Sequence, residues 1–115
     1  MSTIAQARAA LSTLVGASDD AIDPPAVYVF SNGSELNRLG GVGVEWEFRV
    51  TCVVGIPGNN AQASDALATL IAAKLSALNA PSVWRVLSVS REGTTEVAGS
   101  KLLAADIAVS TKVEI

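Results

Sequence analysis

Residues 44–54 read VEWEFRVTCVV, and apolar and polar side chains alternate through them almost without a slip. Val44, Trp46, Phe48, Val50, Cys52 and Val54 fall on one side, and Glu45, Glu47, Arg49 and Thr51 on the other. A strand sends successive side chains to opposite faces, so this stretch predicts a long strand with one face in a core and one charged face. A sheet covered on one side only is characteristically antiparallel.

Outward from this strand, the chain reads as a series of short elements. On its N-terminal side, Ser2 or Thr3 is placed to cap a helix whose Ile4, Ala7, Leu11, Leu14 and Val15 recur at steps of three and four, and Gly16 ends it. The polar segment ASDDAIDPP follows, and its prolines lead into a strand over 26–30, AVYVF. Residues 31–43, SNGSELNRLGGVG, are too long for a tight turn and form either a docking loop, with Leu36 and Leu39 as its apolar contacts, or a free tip.

Beyond the long strand, GIPGNN breaks the chain, and Asn59 or Asn60 can cap a second helix. Its stripe is Ala63, Leu67, Leu70, Ile71, Leu75 and Leu78, its many alanines suit close packing on a sheet, and Asn79 and Pro81 end it. A third strand is expected over 83–90, with both faces partly covered because Trp84 and Val86 oppose Val83, Leu87 and Val89. The segment REGTTEVAGS reads as a loop before a fourth strand, in which Leu103, Ala105, Ile107, Val109, Thr111 and Val113 share one face. The final KVEI is expected at a sheet edge or against a partner.

The order α-β-β-α-β-β predicts a single α+β domain over residues 1–115, a two-layer sandwich with a four-stranded, mostly antiparallel sheet and both helices on one face. It also reads as two αββ halves, a recurrence of element order without a shared side-chain string.

Composition narrows the function. The chain is 50% hydrophobic but only 4% aromatic, so its core is built from small aliphatic side chains. No apolar run approaches the roughly 20 residues of a membrane helix, and the first fifteen residues lack the basic start and apolar run of a signal peptide, so a soluble chain is expected. Eight basic and eleven acidic residues give a net charge of −3, and the basic ones are scattered, which disfavours tight nucleic-acid binding.

Cys52, the single cysteine, lies on the apolar face and reads as a small hydrophobe. The chain has no histidine, the most frequent catalytic base, and no matched acid and base elsewhere, so no catalytic residue, cofactor or metal site is expected. Asp19, Asp20 and Asp23 lack the pattern of a calcium loop and read as turn residues. GGVG at 40–43 precedes a strand and so matches no phosphate-binding loop, while GIPGNN at a helix start has only a weak claim as an anion site. Glu45 and Glu47, with Arg49 beside them, read as a charged sheet surface. Trp46, Phe48 and Trp84 are either core anchors or members of a subunit joint.

Taken whole, the layout resembles the tail terminator, or tail-completion, proteins of long-tailed bacteriophages. The residues that carry the resemblance are the N-terminal helix, Pro24 and Pro25 leading into YVF, the loop after it, VEWEFRVTCVV, the Ala-rich helix over 62–78 and the closing hairpin ending at Ile115. The resemblance implies a structural virion protein that forms a homo-oligomeric ring, typically a hexamer, at the head-proximal end of the tail. Such a ring caps the tail-tube protein, stops its polymerisation and meets the head-tail connector protein, with DNA passing through it. The family has no catalytic set to carry over. The expected contact residues are therefore Glu35, Leu36, Arg38 and Leu39 in the first long loop, Arg91, Glu92 and Glu96 in the second, and Glu45, Glu47 and Arg49 on the strand face. Two alternatives remain: another connector or tail-tube subunit, or a small ligand-binding α+β domain, whose pocket the dense Ala and Leu packing predicts to be small.

Overall fold

The computed structural model describes residues 3–17, 25–33, 43–56, 60–79, 83–97 and 100–114. They form α1 (Ile4–Val15), β1 (Ala26–Gly33), β2 (Gly43–Gly55), α2 (Asn60–Asn79), β3 (Arg85–Val89), β4 (Gly93–Val97) and β5 (Ser100–Glu114). The class is α+β, with two helices and a five-stranded antiparallel sheet.

α1 begins with a capping box. The Thr3 hydroxyl accepts from the Gln6 amide, and the Gln6 side chain accepts from the Thr3 amide. Gly16 ends it in the left-handed region at φ 67°, where its own amide and that of Ala17 reach the last carbonyls. α2 buries Ala63, Leu67 and Leu78 and half-buries Leu70, Ile71 and Leu75, the same stripe its spacing predicts. Ser2 and Asn59, read as alternative caps, and Pro81, read as a helix terminator, lie outside the described residues.

The sheet order is β1-β2-β5-β3, with β4 also pairing β5. β2 pairs with β5 along its whole length, from Gly43 opposite Glu114 to Gly55 opposite Leu102. Val44, Phe48, Val50, Cys52 and Val54 of β2 join Ala105, Ile107, Val109 and Val113 of β5, Val27 and Val29 of β1, and the buried residues of both helices in one cluster. Burial of each large aliphatic or aromatic side chain there contributes about 1.5–3 kcal/mol. Phe48 belongs to this core, edge-on to Trp84 with ring centroids 6.0 Å apart, whereas Trp46 is half-buried and donates its indole N–H to Ser31 Oγ at 2.8 Å. A smaller buried set, Ala26, Val53 and Leu102, sits on the reverse face.

Several expectations need correction. The sheet has five strands, because the expected loop over 91–100 contains β4, which pairs Gly93 with Ala104 through to Val97 with Ser100. β3 and β4 run along the same edge of β5, and the register shifts by one residue within β3, between Val86 and Ser88, and again between Val89 and Gly93, so that the two behave as one long, bulged edge strand. At the break, the Ser90 amide donates to the Asp106 carbonyl and the Asp106 amide donates to Ser90 Oγ, both at 2.8 Å. β3 is exposed along its whole length and not covered on two faces. β1 runs on through Ser31, Asn32 and Gly33, three residues assigned to the loop by sequence. β5 is interior to the sheet over most of its length, but Lys112, Val113 and Glu114 pair with β2 on one side and, among the described residues, with no strand on the other, so the C-terminal end lies at a local edge as expected.

Candidate functional site

The reverse face of the sheet collects the polar half of the alternation. Glu45, Glu47, Arg49 and Thr51 of β2 stand opposite Lys112, Ser110, Ala108 and Asp106 of β5. Two clusters result. In the first, Thr51 Oγ1 donates to Asp106 Oδ1 at 2.6 Å, Arg49 Nε lies 3.9 Å from the same oxygen, and the Arg49 guanidinium sits 5.0 Å from the centre of the Phe30 ring. In the second, Ser110 Oγ donates to Glu45 Oε1 at 2.9 Å, and Arg85 Nη1 lies 3.6 Å from that oxygen. Asn32 donates to Glu47 across the β1–β2 ladder. Exposed ion pairs of this kind contribute about 0–1 kcal/mol each, so this face is held mainly by its ladders and hydroxyl contacts.

The expected contact residues scatter. Glu45, Glu47 and Arg49 do share the reverse face, and each is engaged within the chain. Arg91 and Glu92 occupy the break between β3 and β4, where Glu92 accepts from Ser64 Oγ of α2 at 2.9 and 3.0 Å. Glu96 is exposed on β4. Glu35, Leu36, Arg38 and Leu39 lie outside the described residues, as do Asp19, Asp20, Asp23 and most of the glycine-rich stretch before β2.

Sequence reasoning missed the surface that stands out in the fold. Val83, Val86, Leu87 and Val89 are 63%, 40%, 43% and 42% exposed, on and just before the edge strand β3. A native edge is usually blunted by charge, proline or a covering segment. Here β3 carries one charged residue, Arg85, whose charge is turned toward Glu45. The irregular apolar pattern of VWRVLSVS is the available signal, since a strand with apolar residues on both sides that α2 barely touches presents both to solvent. On the opposite edge of the sheet, Phe30 is 44% exposed.

A second feature departs from expectation. An apolar groove of about 520 Å³ opens between α2 and the adjoining ends of β1 and β2, lined by Pro25, Val54, Gly55, Gln62, Ala66, Thr69, Leu70 and Ala73. Two uncharged polar side chains, Gln62 and Thr69, line it. It offers shape and apolar surface without a convergent acid, base or nucleophile.

Cys52 is buried, and burial pushes its thiol up to about 11, with Asp106 adding to the rise and Lys74 opposing it. It is a protonated core group at neutral pH, as its place on the apolar face predicts. Among the described residues, no three His, Cys, Asp or Glu side chains come together in a way that could hold a metal ion, and no helix is long and apolar enough to cross a membrane. In comparisons with known proteins, no family model matches the chain and no curated protein matches its sequence.

Proposed function

We propose that this chain is a structural subunit of a bacteriophage tail, a tail terminator that assembles with copies of itself into a ring. The ring caps the tail-tube protein, ends its polymerisation and presents a surface to the head-tail connector protein, in the virion and without catalysis. The reading begins from the sequence layout. The observation that supports it best is the uncovered apolar edge at β3, because soluble monomers rarely leave a strand edge with four exposed valine and leucine side chains. A sheet with both helices on one face and polar pairs on the other leaves its edges as the natural joints. Negative-stain images of the purified chain, alone and with the tube protein of the same genome, test the proposal. Closed rings that shorten or cap tubes are the expected result, and open-ended tubes from this chain alone would assign it to the tube instead.

The groove beside α2 favours one second reading, a binding module for a small apolar ligand. That reading expects 1-anilinonaphthalene-8-sulfonate to bind the folded chain at one site and Ala73→Glu to abolish binding. No fluorescence change on mixing would remove it.

A further inference from the structure

We infer that the subunit joint is a strand-to-strand seam, in which the open β3 edge of one copy pairs antiparallel with the β1 edge of a second copy and Arg85 reaches Glu47 of that second copy. This inference rests on the self-assembling reading above and specifies its contact.

Strand direction comes first. Every pairing in the sheet is antiparallel, and the order β1-β2-β5-β3 leaves β1 and β3 at opposite edges pointing opposite ways. A copy placed edge to edge therefore brings β3 beside β1 in the antiparallel sense and continues the same sheet. The seam joins two different surfaces, so it is head-to-tail, the kind of contact that closes into a ring when the rotation permits.

The edge groups are ready for it. The Val29 carbonyl accepts from Arg8 Nη2 of α1 at 3.1 Å, which marks it as turned away from β2, and a neighbour's backbone amide can replace the guanidinium there. No residue of β1 carries a charge, and Phe30 is exposed on the reverse face of that edge, the face to which Arg85 and Ser88 of β3 belong.

Charge is complementary at one end. Arg85 already reaches Glu45 across the intervening strand β5, a span of two strand spacings, or roughly 10 Å between backbones. With Val89 set against Val29 of the neighbour, so that core-face residues meet core-face residues and Leu87 is taken up in its bulge, Arg85 lies level with Asn32, and Glu47 is again one strand further in. Arg85 and Glu47 both belong to the reverse face, so they approach from the same side of the sheet.

Surface area fits a missing partner. The chain exposes 6994 Å², whereas a compact monomer of 11.7 kDa exposes about 5,900 Å². The excess, roughly 1,100 Å², exceeds the roughly 800 Å² that one partner contributes to a standard interface. The shape is elongated: β5 at 15 residues spans about 50 Å, the long axis is 52 Å, and the radius of gyration is 15.1 Å against about 13 Å for a compact chain of this length.

The test is mass photometry and analytical ultracentrifugation of the full chain and its variants, with circular dichroism to confirm folding. Leu87→Lys charges the β3 edge and Phe30→Glu charges the β1 edge, both at exposed positions. Each is expected to weaken self-association by about 100-fold or more, and a mixture of the two to form one-to-one dimers, because each variant retains the edge the other has lost. Arg85→Glu and Glu47→Arg are each expected to weaken association about tenfold, and the double variant to restore it. Rings formed unchanged by folded Leu87→Lys or Phe30→Glu would overturn the seam while leaving the ring. Failure of the wild type to associate would overturn both.

Discussion

Replacing Phe48 by alanine tests whether the long strand is held by its core face. Phe48 is fully buried in mid-strand, and its ring meets Trp84 edge-on at 6.0 Å and 78°. Deletion of a buried phenylalanine side chain costs about 3–5 kcal/mol. The aromatic pair accounts for roughly 0.5–1.5 kcal/mol beyond the area buried. A domain of this size has a stability on the order of 6–17 kcal/mol, so the loss takes roughly a fifth or more of it and lowers Tm by about 15 °C. Measured by urea unfolding in a Leu87→Lys background, where association does not contribute, Phe48→Ala is expected to lose about 4 kcal/mol. A double-mutant cycle with Trp84→Leu is expected to give a coupling of about 1 kcal/mol. A loss below about 1.5 kcal/mol would refute the placement of Phe48 in the core and return it to a subunit joint.

Other outcomes follow from single contacts. Gly16→Ala forces a side chain into the left-handed region at φ 67° and is expected to cost about 1 kcal/mol in thermal unfolding, whereas Thr3→Ala removes the capping box at a similar cost. Cys52 is expected to resist 5,5′-dithiobis(2-nitrobenzoate) at pH 8 until the chain unfolds, and rapid labelling of the native protein would contradict its burial. Its thiol deprotonates near its ordinary value, 9.0, in the unfolded chain but only at about 11 in the folded one. The unfolded state therefore binds fewer protons over that window, and stability falls by roughly 1 kcal/mol per pH unit from 9 to 11, a slope that Cys52→Ala removes. Arg85→Ala, at an exposed pair, is expected to change monomer stability by less than about 0.5 kcal/mol, so that any larger effect on assembly reports the seam.

What the sequence makes legible is what side-chain burial writes into it. The alternation through 44–54 places β2 to within a residue at each end, and the α1 and α2 stripes coincide with the buried faces, because in each case one side of the element meets the core. β4 left no such trace. Its Gly93, Thr94, Thr95 and Glu96 are all exposed, and the segment is a strand only because the end of β5 offers it backbone partners. A ladder formed without burial has no apolar period to read. The same reasoning explains β3, where apolar residues on both sides suggested two covers. The helices pack on β1, β2 and β5 and leave that edge largely bare, a fact of topology that parity along one strand does not contain. Glu45, Glu47 and Arg49 were legible as a surface face by the same parity, but their partners Ser110, Arg85, Asn32 and Asp106 come from distant segments and needed the register of three strands.

The two edges of the sheet then differ in a way that bears on assembly. β1 is screened by an exposed arginine from α1, a contact that is easily exchanged because both its donor and its acceptor keep a partner when a neighbour's amide takes the carbonyl and water takes the guanidinium. Among the described residues no side chain is seen to screen β3 in this way, and the strand leaves valine and leucine surface exposed. At about 25 cal/mol per Å², covering a few hundred Å² of that surface supplies several kcal/mol toward association, before the backbone bonds of the seam add register. One edge that resists pairing lightly and another that favours it strongly make a head-to-tail joint more favourable than β1 meeting β1. A pairing of β3 with a second β3 would leave both screened edges outermost and stop at two copies, whereas alternating edges continue until the sheet closes on itself. The number of copies at closure is therefore set by the twist each subunit contributes, and the mixed-variant dimer separates that geometry from the two-copy alternative directly.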